Sequence, residues 1–136
     1  MTDASTRSLR LPHHPLPCSL MAFVLSTLTA CADAALAPDY SRDAVQPVVV
    51  QATADGEARI RFASPPESLY YAAGVSYRAN GDELQVVIDR CPIRGDCTTM
   101  AKGTRLGDGR TTEVRVPLDG RRLVMIHTDD VQSLVP

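Results

Sequence analysis

Val48-Val49-Val50-Gln51-Ala52-Thr53-Ala54-Asp55-Gly56-Glu57-Ala58-Arg59-Ile60-Arg61-Phe62 decides the fold class. After Asp55-Gly56, the apolar residues Ala58, Ile60 and Phe62 alternate with Glu57, Arg59 and Arg61. Neighbouring side chains on a strand point to opposite faces, so period two describes a strand with one buried and one wet face. Asp-Gly supplies the positive φ that a tight turn needs, and the whole stretch predicts a β-hairpin.

The pattern recurs downstream. Asn80-Gly81 lies between Val75 and Tyr77 on one side and Leu84, Val86 and Ile88 on the other. Asp119-Gly120 lies between Thr112, Val114, Val116, Leu118 and the run Leu123-Val124-Met125-Ile126, and reads as a third hairpin. Three such turns exclude an all-helical domain. The expected fold is mainly β: a small antiparallel β-sandwich or open barrel of six or seven strands over residues 47–136. Gln85, Asp89, Glu113 and Arg115 join Arg59 and Arg61 on the outward faces. Pro117 has no amide hydrogen to donate, which predicts an edge strand or a bulge around it.

One segment reads differently. Ser64-Pro65-Pro66-Glu67 offers a capping residue, proline at the first helical position and an acid three residues on, with Gly74 placed as a C-terminal cap. This predicts a short helix over 65–73, although Tyr70 and Tyr71 suit a strand equally well.

At the other end of the chain, a basic region with Arg7 and Arg10 precedes the apolar run Leu20-Met21-Ala22-Phe23-Val24-Leu25. The run is too short for the roughly 20 residues of a spanning helix and reads as a signal peptide over 1–30. Leu28-Thr29-Ala30-Cys31 resembles the lipobox of bacterial lipoproteins. The resemblance implies cleavage before Cys31, a diacylglycerol on its thiol and, often, acylation of the new amino group. Ala32 rather than Asp after the cysteine implies sorting to the outer membrane, on its periplasmic face. An ordinary signal peptide cut near Ala30 or Ala37 is the alternative. Residues 31–46 mix Ala, Asp, Pro and Ser without an apolar period, and are expected to tether the lipid to the domain.

Four cysteines then fall into place. Cys18 leaves with the signal, Cys31 carries lipid, and Cys91 and Cys97 remain to pair in an oxidising compartment. Pro92 and Gly95 bend the chain between them. A loop this short is worth about 2–2.5 kcal/mol in the chain-entropy model. The spacing matches neither a redox pair nor a zinc site, since no second thiol pair or nearby histidine completes four ligands. Within the loop, Arg94-Gly95-Asp96 is the tripeptide that integrins recognise in adhesive proteins. In this setting it reads first as a turn, with Arg94 and Asp96 as possible partner contacts.

The formal net charge is −2, and losing Arg7, Arg10 and Asp3 makes the mature chain slightly more negative. That argues against nucleic acid, which demands a cationic surplus. All the basic residues but Lys102 are arginines. Arg59, Arg61, Arg78 and Arg115 could line one outer face and grip carboxylates or phosphates of wall peptides or lipopolysaccharide. A face interleaved with acids is the simpler account. His127, with Asp129 and Asp130, could sketch a metal or proton-transfer site. Its alternation with Leu123 and Met125 instead predicts a core or edge histidine with a satisfied hydrogen bond. Residues 103–109 lack the Lys-Ser/Thr end of a phosphate loop and read as a long, mobile turn. No nucleophile elbow is present, and neither cofactor nor metal is expected.

Tyr77-Arg78-Ala79-Asn80-Gly81-Asp82-Glu83-Leu84-Gln85-Val86 resembles the early hairpin of membrane-bound lysozyme inhibitors, small β-barrel lipoproteins of the periplasm. That family has a cysteine where Ala79 stands, and its inhibitory loop has no counterpart here. The expected function is therefore a monomeric, lipid-anchored envelope protein whose non-catalytic periplasmic domain binds an envelope protein or cell-wall polymer. An inhibitor that blocks a wall-degrading enzyme is the alternative, and an enzyme comes third.

Overall fold

Ala58, Ile60 and Phe62 are fully buried, and the charged residues between them are not. The computed structural model describes residues 35–134. The expected signal peptide and Cys31 lie outside them. Among the described residues nine strands form two sheets: β1 (Val49–Ala52), β2 (Glu57–Ala63), β3 (Tyr70–Asn80), β4 (Glu83–Pro92), β5 (Ala101–Lys102), β6 (Thr104–Arg105), β7 (Thr111–Pro117), β8 (Arg122–Ile126) and β9 (Val131–Leu134). One sheet has the order β1-β2-β7-β6 and the other β5-β3-β4-β8-β9. The expected sandwich is thus present. Seven of its strands have four residues or more, and β5 and β6 are two-residue additions.

The inner faces supply the core. Ile60, Phe62, Val114 and Val116 from the first sheet share one apolar cluster with Val75, Val86, Ile88, Leu123 and Met125 from the second. Each side chain of this size contributes about 1.5–3 kcal/mol when fully buried. Tyr40 and Val45 belong to the same cluster, at 7% and 0% exposure. The expected tether therefore ends sooner than Gln46. A 3-10 turn at Asp43–Val45 packs Val45 into the domain, and the Thr128 N–H donates to the Tyr40 carbonyl. An apolar period was not needed here, because two side chains suffice to dock a short segment.

Two of the three predicted hairpins form as read. Thr53 N–H donates to the Glu57 carbonyl across Asp55-Gly56, and Asn80 faces Glu83 across Gly81-Asp82. The third is corrected. Asp119 and Gly120 do take positive φ (47° and 73°), and the Arg121 N–H closes the turn onto Leu118. The chain then leaves the first sheet, and β8 pairs parallel to β4, not antiparallel to β7. Leu123, Val124 and Met125 are all buried, so β8 is covered on both faces. A strand of that kind belongs in a sheet interior, next to a similarly continuous run such as Val86-Val87-Ile88.

The helix expected over 65–73 is absent. Residues 64–69 are irregular, and Tyr70 opens an eleven-residue strand paired with β4. Ladder partners on β4 outweigh weak capping signals. Gly74 is no C-cap. It follows a β-bulge at Ala72/Gly74 where β5 crosses close by, and a Cβ there would stand 2.2 Å from the Ala101 carbonyl oxygen. Gly103, between β5 and β6, carries the chain from one sheet to the other. Its N–H donates to the Ala73 carbonyl at 2.8 Å, and a Cβ would meet Thr112 Cγ2 at 2.5 Å. The expected mobile turn over 103–109 shrinks accordingly to Leu106–Arg110. Asp108 holds it, accepting from the Arg110 and Thr111 amides (both 2.9 Å) and the Thr111 hydroxyl (2.6 Å). These bonds pull its carboxyl down to about 2.

Pro117 ends β7, which is an inner strand of its sheet and not an edge. Leu118 N–H donates to Gly56, so the Pro117 nitrogen faces the opposite side, where the short β6 does not reach. The strands run between two poles. One holds the turns at Asp55-Gly56, Gly81-Asp82 and Asp119-Gly120, tied by Leu118 and Asp119 N–H to Gly56 and by Arg122 N–H to Asp82. The other holds the longer loops 64–69, 93–100 and 106–110.

The sheet crossing depends on bare backbone at two positions. Gly74→Ala is expected to cost about 2–3 kcal/mol, lowering the melting temperature by about 10 °C or more. Gly107→Ala, where a Cβ meets nothing within 4 Å, should melt within about 0.5 kcal/mol of wild type. Calorimetry giving the two variants equal melting temperatures would contradict this reading of the crossing.

Candidate binding site

The loop pole starts from two strand ends that outrun their partners. β3 begins at Tyr70 and β4 ends at Pro92, and the Ile93 N–H donates to the Leu69 carbonyl at 2.8 Å. β5 pairs with β3 only at Gly74 and Val75, so Leu69, Tyr70 and Tyr71 stand at an uncovered strand end. Leu69 is 70% exposed and Ile93 56%, with Tyr70 and Tyr71 at 37% and 41%. Across from them the β6–β7 turn brings Arg105 and Arg110. The Ser64 N–H donates to the Arg110 carbonyl and links the loops.

Between these elements lies an open groove of about 810 Å³, lined by Pro65, Pro66, Tyr70, Tyr71, Ile93 and both arginines among others. That volume is in the range of small-ligand sites. Glu67 is the only acid among the described residues that line it, and it is already engaged. Arg90 donates to its Oε2 through Nε at 2.7 Å and also through Nη2, and the Tyr40 hydroxyl donates to Oε1 at 2.7 Å. The Arg90 guanidinium also lies over the Tyr70 ring, 3.9 Å from its centre, and its backbone N–H donates to Asp39. Hydrogen bonding from Arg90, then from Tyr40, holds the Glu67 carboxyl below the usual carboxylate range. Burial, then the Glu67 carboxylate, pushes the Tyr40 phenol well above its ordinary value. The network ties the N-terminal segment to the ends of β3 and β4 and fixes one groove wall.

Residues expected to form sites are found at separate places. Cys91 and Cys97 lie within disulfide-bonding range, with Cα atoms 5.6 Å apart. This pair does not close a hairpin between β4 and β5, because β5 pairs on the far side of β3 from β4. The pair instead closes the first part of a loop that passes the end of β3. Arg94 borders a concavity with Leu69, Tyr70, Pro92 and Ile93, beside the groove. Asp96 is exposed in the same loop. Arg59 and Arg61 are elsewhere, on the outer face of the first sheet, where both converge on Glu113 (3.5 and 2.8 Å). Arg115 is on that face also, directly opposite Arg59. Arg78 is not, because β3 belongs to the other sheet, where Arg78 donates to Gln85 at 3.1 Å. His127 is buried, with Nε2 3.1 Å from Gln132 Oε1, as its alternation predicted. Asp129 and Asp130 turn to Arg42. No cluster of three metal-ligating side chains occurs among the described residues.

Leu69, Tyr70, Tyr71, Ile93, Arg105 and Arg110 were not anticipated as site residues. A signal existed for Ile93: an aliphatic residue among turn formers, between Cys-Pro and Arg-Gly, has no strand to bury it.

No family model matches the chain, and no curated protein or solved structure matches it significantly. The likeness to lysozyme inhibitors thus rests on residues 77–86 alone. They do form a hairpin, but within two open sheets and not a closed barrel. No helix of the described residues is long and apolar enough to cross a membrane.

A depressed carboxyl contributes stability above its unfolded value, 4.5 for Glu67, and that contribution disappears as pH falls through the folded value. Asp89, raised by burial despite its bond from Ser76, works in the opposite sense. Glu67→Gln should therefore melt a few degrees below wild type at neutral pH, with the gap closing in acid as the pH falls through the depressed Glu67 value and its carboxyl becomes neutral. Calorimetry across that range checks this, and a gap that is constant with pH would contradict the ion pair's role.

Proposed function

We propose that the chain is a lipid-anchored cell-envelope protein whose β-sandwich is a non-catalytic binding domain, carried on the periplasmic face of the outer membrane. The lipobox-like Leu28-Thr29-Ala30-Cys31 supports the anchor. The observation that carries the binding reading is the groove. Its walls are tyrosine, proline and isoleucine, Arg105 and Arg110 form no ion pair among the described residues, and its only acid is tied up by Arg90 and Tyr40. Such walls hold a ligand through apolar and aromatic surface, while unpaired guanidiniums take carboxylates in a bidentate fashion. Glu67, the one carboxylate there, is committed to structure, so the groove favours binding over proton transfer. A carboxylate-bearing segment of an envelope protein or of the wall polymer fits this chemistry.

Capture from detergent-solubilised envelope tests it, by comparing wild type with Arg105→Glu/Arg110→Glu and with Arg59→Glu/Arg61→Glu. Hydrogen bonds to charged groups are worth about 1.5–3 kcal/mol. The first variant should therefore lose at least about tenfold in affinity without a change in melting. The second should keep its ligand. Equal capture by wild type and the groove variant would overturn the assignment, and loss in the sheet-face variant alone would move the site there.

A further inference from the structure

We propose that the Leu69/Ile93 tip is a second membrane contact, seated on the anionic phospholipid surface that carries the chain's own lipid. It would hold the groove mouth at the bilayer–water boundary. The inference rests on the lipid-anchor reading above.

The first support is the distribution of exposed apolar surface. Among the described residues seven large hydrophobic side chains are exposed, and four of them, Leu69, Tyr70, Tyr71 and Ile93, meet at this one pole beside Pro92. Val49 and Val131 stand alone on edge strands of different sheets. Singly exposed apolar residues are ordinary, but a cluster marks an interaction surface.

The second support is charge. Among the described residues, the linings of the groove and the adjoining concavity contain Arg94, Arg105 and Arg110 and one acid, Glu67, while Asp96 and Asp108 are exposed at the same pole outside those linings. None of these arginines forms an ion pair among the described residues, whereas Glu67 is neutralised by Arg90. Aliphatic and tyrosine side chains ringed by free guanidiniums match an interface with apolar acyl chains below and phosphates above. The opposite pole carries Asp55, Asp82 and Asp119 on its turns, where Arg122 pairs with Asp82, Arg121 pairs with Asp119, and Asp55 has no ion pair among the described residues. The unpaired guanidiniums therefore favour the loop pole, rather than the turn pole, on an anionic surface.

The third support is where the chain arrives. Asp39 accepts from the Arg90 N–H, and Tyr40 reaches Glu67, so the N-terminal segment enters the domain beside the tip. Seven residues lie between Cys31 and Asp39, and the eight steps from one to the other span at most about 28 Å. A lipid on Cys31 thus keeps this pole near the bilayer, and the apolar tip needs only to settle into the surface it already faces. Acyl chains supply the anchorage, and the tip supplies orientation.

The chain has no tryptophan, so a single introduced one reports depth without background. The full mature protein carrying Ile93→Trp or Asp82→Trp is isolated from membranes and its N-terminal mass measured. Each is then reconstituted into phosphatidylglycerol–phosphatidylethanolamine vesicles with brominated acyl chains. The expected result is a blue-shifted Ile93→Trp emission, quenched several-fold more than Asp82→Trp, with the difference shrinking in vesicles of phosphatidylcholine alone. A lipidated protein whose Ile93→Trp stays solvent-like overturns the proposal and leaves the anchor standing. An unmodified Cys31 overturns the anchor and the proposal with it. Equal quenching at both positions overturns the orientation.

Discussion

The backbone-to-backbone approach at Gly74 and Gly103 is the constraint on which the remaining architecture depends. Gly103 donates to Ala73 while the Ala101 carbonyl occupies the space a side chain on Gly74 would need. This contact lets one short segment serve both sheets, β5 in one and β6 in the other, so the sandwich is closed along that side by a strand that changes layer. The same contact determines what stays open. β5 cannot extend along β3 beyond Gly74 and Val75 while turning toward the other sheet at Gly103. The first residues of β3, paired with β4 on one edge, are therefore left without a neighbour on the other, and their side chains become the groove wall. The site is what the crossing does not cover.

Rigidity of that pole has a different origin. Its loops contain little regular pairing, so they depend on side chains to hold them. Glu67 accepts from Arg90 and Tyr40, and Asp108 gathers the 106–110 turn. Cys91 lies within bonding range of Cys97 across the next loop. Surface ion pairs are individually weak. Here the Arg90–Glu67 pair is shared with a buried tyrosine from the N-terminal segment, so the docking of that segment and the shape of the groove rise and fall together. Loops held at their bases while their apolar ends are exposed suit a contact surface, since little ordering cost is left for binding.

Much of the fold was legible because strand periodicity is local. Ala58, Ile60 and Phe62 announce β2, and Gly81 announces the β3–β4 turn. The misread elements share one physical cause. Asp119-Gly120 has hairpin geometry, but what β8 pairs with is decided by burial on both faces, which Leu123-Val124-Met125-Ile126 carries as an unbroken apolar run. Ser64-Pro65-Pro66-Glu67 has the residues of a helix start, yet Tyr70 finds a partner at the end of β4 and Leu69 one in Ile93 just beyond it, which no local rule can see. The tether reading failed at Tyr40 and Val45, where two side chains without a period were enough. The groove was not legible, because it joins residues 63–71, 93 and 105–110 through a crossing that no pattern encodes. Arg59 and Arg61 were visible as a pair, and they are found facing Glu113 on a separate surface.

The central claim is that the domain works through its loop pole, with the turn pole facing away. Amide hydrogen exchange on the protein in native envelope membranes, compared with the same protein in detergent, tests it most directly, because it reads every segment at once without substitution. The account predicts slowed exchange confined to residues 64–71 and 92–110, with the turns at Asp55-Gly56, Gly81-Asp82 and Asp119-Gly120 unchanged. Protection at those three turns with none at the loops would contradict it.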